Sequence, residues 1–169
     1  MGEETKAELW EGRVSAKLTD AKAENVWSIF VQDFCSIHKW LPSIDECYKV
    51  EGVHGQPGLI RYCGTTRTSS SNGSDEPITL WCHEKLLEID EIQRWLSYEI
   101  MENNMGFKMY RSTFKVMPLE DGDARGCEMK WLFVADPVDG WKFEDLVWYL
   151  ESSLQAMGQR MEKALKSTN

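Results

Sequence analysis

Two neighbouring stretches of alternating side chains carry the residues best suited to chemistry. Ile78, Leu80, Cys82, Glu84 and Leu86 are spaced by two, and Glu84 is the only charge among them. That period puts the set on one face of a strand. A carboxylate buried without a partner costs several kcal/mol, or its pKa rises until the acid is neutral. Glu84 should therefore either meet a cation or work as an acid/base group. The preceding stretch offers the cation, since Leu59, Arg61 and Cys63 share a face on which Arg61 is the single positive charge. If the two stretches pair as a hairpin, Arg61 and Glu84 point to one place. Two later stretches add phenols: Leu96, Tyr98 and Ile100 share one face, and Lys108, Tyr110, Ser112, Phe114 and Val116 share another. Leu80, Cys82, Tyr98, Phe114, Trp131, Phe133 and Met157 are the expected wall around the polar set. A plainer reading stays open: Arg61 and Glu84 as a cross-strand salt bridge, and the tyrosines as half-buried packing with wet hydroxyls.

The other reactive residue types group less well. His83 falls on the strand face opposite Glu84 and His38 sits in an apolar short helix, which reads both as structural or solvated, and His54 in a loop carries no signal. Gly52, Gly55 and Gly58 lack the G-K-[ST] ending of a phosphate-binding loop and lead into a strand, so they read as a turn. Cys35, Cys47, Cys63, Cys82 and Cys127 are odd in number and never form a C-x-x-C pair, which suggests reduced thiols without a zinc site or a disulfide framework. No dinucleotide fingerprint or nucleophile elbow appears. Asn72-Gly73-Ser74 matches a glycosylation acceptor by accident of a Ser-rich loop, and Lys6 spoils a myristoylation pattern at Gly2.

The elements that must position these residues follow from periodicity. Leu9–Leu18 alternates as a first strand, and Asp20 reads as the cap of a helix beginning near residue 21. Phe34–Trp40 reads as a second short helix closed by Pro42, and Ile44–Val50 as extended. Strand texture continues over Leu59–Thr66, Ile78–Asp90, Trp95–Glu102, Phe107–Pro118 and Cys127–Ala135, with links too short for crossover helices. Apolar residues at 143, 146, 147, 150, 154, 157, 161 and 165 then make one helical stripe within residues 141–168. Strand, two short helices, six strands and a long helix predict an α+β fold: a curved seven-stranded antiparallel sheet wrapped on the last helix, with a cavity between them.

Composition sets outer bounds. A chain of 169 residues suits a single domain, with a core from about residue 9 to 166. Its 42% hydrophobic content, with eight Trp, five Tyr and six Phe, is enough for a real core. A net charge of -9 argues against nucleic acid and against anionic membranes, because both need a basic face. No apolar run reaches about 18 residues, and the opening MGEETKAELW has no signal-peptide core. The expectation is a cytoplasmic monomer without membrane insertion.

Element order, the glycine-rich loop before the third strand and the long final helix resemble the birch-pollen-allergen and START-related helix-grip superfamily, the polyketide cyclase/dehydrase and lipid-transport grouping. The stretches WEGRVSAKL, VWSIFVQDFCSIHKWLPSIDECYKVEG, GLIRYCG, WCHEKLLEID and GFKMYRSTFKV resemble its plant lachrymatory-factor synthase branch. The resemblance spans Trp10 to Leu165. It implies a cavity for a small hydrophobic molecule and, in the synthase branch, conversion of an alkenyl sulfenic acid to a thial S-oxide without a cofactor. Carried over by motif, the catalytic positions are Arg61 in IRY, Glu84 in WCHEKL and Tyr110 in GFKMY. Arg61 would hold the sulfenate oxygen and Glu84 would move the proton, while Tyr110 and Tyr98 would orient the substrate. The loop Thr66–Glu76 looks longer than the family pattern and would border the cavity mouth. The rival function is binding or transport of a hydrophobic metabolite or hormone without turnover, and a plainer one is a stress-induced carrier. The S-G-L-P-A gate and H-R-L latch of abscisic-acid receptors do not occur.

Overall fold

The computed structural model describes residues 8–68 and 76–167. Seven strands form one antiparallel sheet: β1 (Trp10–Leu18), β2 (Glu46–Glu51), β3 (Ile60–Thr68), β4 (Pro77–Asp90), β5 (Trp95–Asn103), β6 (Tyr110–Met117) and β7 (Cys127–Ala135), in the spatial order β1-β7-β6-β5-β4-β3-β2. β1 and β2 are successive in sequence yet lie at opposite edges. The chain crosses between them as helix α1 (Ala23–Gln32) and a short 3₁₀ helix (Phe34–Lys39), and helix α2 (Phe143–Lys166) follows β7. This is the curved sheet, pair of short helices and long final helix that the periodicity predicts.

Alternation places the side chains. On β1, Val14, Ala16 and Leu18 are buried while Arg13, Ser15 and Lys17 are exposed; on β6, Tyr110, Ser112, Phe114 and Val116 face inward. β1 pairs with β7 from Trp10↔Ala135 to Leu18↔Cys127. Gly12 stands opposite Phe133, where an added Cβ would come within 2.7 Å of the ring, so the missing side chain lets Phe133 lie across β1. Phe114 stacks on Phe30 of α1 with ring centroids 3.7 Å apart. The core is thus thickest under β6, β7 and β1.

Most strand ends shift by one or two residues from the periodicity, and three further boundaries differ for a visible reason. α1 begins at Ala23 with Lys22 at its N-cap and no side-chain cap. Asp20 is drawn to the other helix instead: its N–H donates to Glu162 Oε2 at 3.3 Å and its carboxylate meets Lys166 Nζ at 3.1 Å. α2 has 24 residues, about 36 Å at ~1.5 Å per residue, not the full 141–168. It starts after Lys142, whose N–H donates to Asp145 Oδ2 at 2.8 Å. β6 starts at Tyr110, not Phe107, because the Asn103 amide oxygen accepts from the N–H of Met105 (2.9 Å) and of Phe107 (3.1 Å) and turns residues 104–109 out of the ladder. The readings made for Gly2, for Asn72 and for residues 69–75 of the Ser-rich loop lie outside the described residues.

Candidate functional site

Arg61 and Glu84 are register partners on β3 and β4, so the hairpin inferred from alternation sets them side by side. Both are buried, at 3% and 8% exposure. Arg61 Nε donates to Glu84 Oε1 at 3.0 Å and Nη2 reaches the same oxygen at 2.9 Å. Nη1 donates to the Phe34 carbonyl at 2.8 Å, and the Phe34 ring lies 3.9 Å from the guanidinium carbon. Tyr98 covers the guanidinium at 5.1 Å from its ring centroid. Burial alone would lower the Arg61 pKa, but the Glu84 carboxylate raises it on balance, and the guanidinium stays charged. A buried guanidinium of this kind is tolerated because it finds partners in Glu84 Oε1 and the Phe34 carbonyl.

The pairing is one-sided. Arg61 engages Oε1 through two nitrogens, and Cys63 Sγ donates to that oxygen at 3.5 Å. Among the described residues no hydrogen bond reaches Oε2. One carboxylate oxygen is therefore fixed, and the other is left for what occupies the adjoining space.

That space is a cavity of about 510 Å³ whose wall includes Arg61, Glu84, Leu80, Cys82, Tyr98, Tyr110 and Trp131. The structure thus gathers seven of the ten residues expected there. Phe114, Phe133 and Met157 do not line it. Phe114 is sealed by Phe30, Phe133 is turned toward β1 and lies 6.2 Å by ring centroids from Phe143 of α2, and Met157 is fully buried in the core. Their alternation and stripe positions are as expected, but Phe30 and Phe143 of the two helices stand against Phe114 and Phe133, and Met157 is spent on the core.

Burial pushes the phenols of Tyr98 and Tyr110 above the ordinary tyrosine range. At neutral pH they are neutral hydroxyls able to donate to an oxygen. Trp131 Nε1 is buried without a hydrogen-bond partner among the described residues, an unused donor on a cavity-lining side chain. His83 lies on the outer face against Trp81 and Tyr62. Among the described residues no three of His, Cys, Asp and Glu are grouped to hold a metal ion.

Sequence reading missed Phe34, whose carbonyl and ring both hold Arg61, and the rim side chains Met105, Phe107, Trp141 and Trp148. The turn in MENNMG, with Gly106 at φ 91°, signals that Phe107 leaves the ladder. Nothing local marks a backbone carbonyl as an arginine partner.

A family model described as polyketide cyclase / dehydrase and lipid transport matches residues 12–166. The crystal structure of Ara h 8.0201 superposes with a TM-score of 0.70 at 16% identity, covering 95% of this chain and 99% of that one. A solution NMR structure from Thermobifida fusca gives a TM-score of 0.66 at 23% identity, covering 90% and 93%. Among the described residues no helix is long and apolar enough to cross a membrane.

Proposed function

The chain belongs to the polyketide cyclase / dehydrase and lipid transport family, and we propose that it holds a small hydrophobic molecule in its cavity and moves a proton on that molecule's polar head, as a lachrymatory-factor synthase does on an alkenyl sulfenic acid. The observation that carries this reading is the asymmetry of Glu84, with Oε1 pinned by Arg61 and Oε2 without a hydrogen-bond partner among the described residues beside the cavity. A general base needs a fixed position and an open lone pair.

In the proposed step Glu84 Oε2 takes the S–OH proton and returns it to the far alkene carbon, while the double bond shifts to sulfur and the thial S-oxide forms. The reaction is an isomerisation, so atoms and electrons balance within the substrate and no cofactor is consumed. A guanidinium has five N–H donors, and Arg61 spends one on Glu84 and one on Phe34 in hydrogen bonds, with Nη2 in ion-pair contact with Glu84. The remainder can hold the sulfenate oxygen, where charge-assisted bonds are strongest. Tyr110 and Tyr98, kept neutral by burial, orient the same oxygen. Apolar walls keep a self-condensing substrate apart from water and from its own kind.

A second reading, binding without turnover, draws on cavity size. About 510 Å³ falls in the range of sites that take drug-sized ligands, ~300–1,000 Å³, which is generous for a small alkenyl sulfenic acid. One assay separates the two. A lyase generates the sulfenic acid in situ, and thial S-oxide is quantified with and without the protein. Formation well above the no-protein control supports the synthase; a rate equal to the control rejects it for that substrate and leaves the binding reading.

A further inference from the structure

The isomerisation makes no use of sulfur on the protein, yet three thiols stand in a row beside Glu84. Cys47, Cys63 and Cys82 occupy matching register positions on β2, β3 and β4. Cys63 is the middle one. Its Sγ lies 3.7 Å from Cys47 Sγ, with which it shares a hydrogen bond, and 3.5 Å from Glu84 Oε1, to which it donates. Cys63 also lines the cavity. Nucleophile, base and a third group that orients the base are the parts of a covalent site, and here they are Cys63, Glu84 and Arg61.

We propose that Cys63 is a covalent capture point for a small apolar electrophile of the α,β-unsaturated carbonyl class, with Glu84 receiving the thiol proton and Arg61 donating to the carbonyl oxygen. The sulfur bonds to the β-carbon, and the alkene electron pair moves through the α-carbon onto the oxygen. The proton held by Glu84 then passes to the α-carbon. Nothing leaves, nothing is oxidised and no co-reactant is needed.

The surroundings select both the thiol and the electrophile. The Cys47 hydrogen bond works to lower the Cys63 pKa, but the Cys82 thiol and burial outweigh it, and the group rests protonated. Generic alkylation, which needs free thiolate, is therefore suppressed. Addition depends on a reagent that dwells in the cavity while Glu84 takes the proton. The remaining cysteines lack the full set. Cys47, Cys35 and Cys127 do not line the cavity, and burial pushes the Cys127 thiol up to about 11. Cys82 lines it, but among the described residues donates to no carboxylate.

The full chain is incubated with trans-2-nonenal, reduced with borohydride to fix the adduct, and read by intact mass and peptide mapping. One aldehyde per molecule is expected, on Cys63, forming faster than alkylation of the same thiol by the polar reagent iodoacetamide. Cys63→Ser should abolish the adduct, and Glu84→Gln should slow it on the order of 100-fold. An adduct on Cys82, labelling spread over Cys35 and Cys127, or a Glu84→Gln rate equal to wild type overturns the proposal. If Glu84→Gln fails to fold by circular dichroism, the position of the adduct on wild type decides alone. No sulfenic acid is involved, so this result stands or falls separately from the synthase reading.

Discussion

On β6 and β7 the inward side chains Phe114, Met129 and Phe133 meet helices: Phe30 of α1 stacks on Phe114, Gly158 of α2 lets Met129 approach to 3.0 Å of a Cβ position, and Phe143 lies near Phe133. On β3 and β4 the inward side chains Arg61, Cys63, Cys82 and Glu84 meet an open cavity and the carbonyl of Phe34. Both regions are built from the same alternation of strand residues. What stands opposite them differs, and that separates a region suited to stability from one suited to chemistry. The helices fill one side of the sheet and bridge the other.

Substitutions should divide along the same line. The largest effect is expected from Phe114→Ala, about 4 kcal/mol of unfolding free energy in denaturant titration, since the vacated stack opposite Phe30 cannot collapse. Leu80→Ala, on a wall that already borders the cavity, should cost less than ~1 kcal/mol; equal losses at the two sites would dissolve the contrast. Next comes Arg61→Leu, about 3 kcal/mol, because it strands the Glu84 carboxylate. Adding Glu84→Leu should recover much of that loss, and a double variant as unstable as the single one would show that the pair does more than neutralise itself.

Alkaline pH gives a smaller and graded test. The Cys47 thiol is raised by its hydrogen bond to Cys63 and by burial, and the phenols of Tyr98 and Tyr110 are raised by burial. In the unfolded chain these groups ionise near their ordinary values, while the folded chain keeps their protons. Their stabilisation is full below about pH 8.5 and is lost as pH rises through and beyond the ordinary thiol and phenol range, at about 1.4 kcal/mol per pH unit for each group. Melting temperature measured from pH 7 to 10.5 should fall with increasing slope; a flat profile contradicts the burial of these groups. Gly64→Ala should cost about 1 kcal/mol, since a Cβ there would sit 2.7 Å from the Tyr62 hydroxyl and the ring must swing off the strand. That outer-face change should leave ligand binding untouched in a titration.

Much of this division was legible in the sequence, and its limits have a physical reason. Period two gave the bounds of β7 as they stand, together with the shared face of Arg61 and Glu84, because one buried face specifies strand register strongly. It could not tell Tyr110, which lines the cavity, from Phe114, two turns of the pleat further along the same face, where Phe30 closes the space. That depends on where α1 and α2 cross the sheet, a tertiary fact carried by no single strand. Asp20 failed as a cap for a similar reason: its partners Glu162 and Lys166 are at the far end of the chain. Phe34 holds Arg61 through a backbone carbonyl, which every residue possesses and no side-chain pattern reveals.

The initial rate of thial S-oxide formation per folded molecule, compared between wild type and Glu84→Gln with Phe114→Leu as the reference from the packed side, tests the central claim most directly. The account predicts a fall of at least ~100-fold for Glu84→Gln, the scale of losing a general acid/base. Phe114→Leu should lose stability yet keep its turnover. A Glu84→Gln protein that folds and turns over at the wild-type rate would contradict the role given to the free oxygen of Glu84.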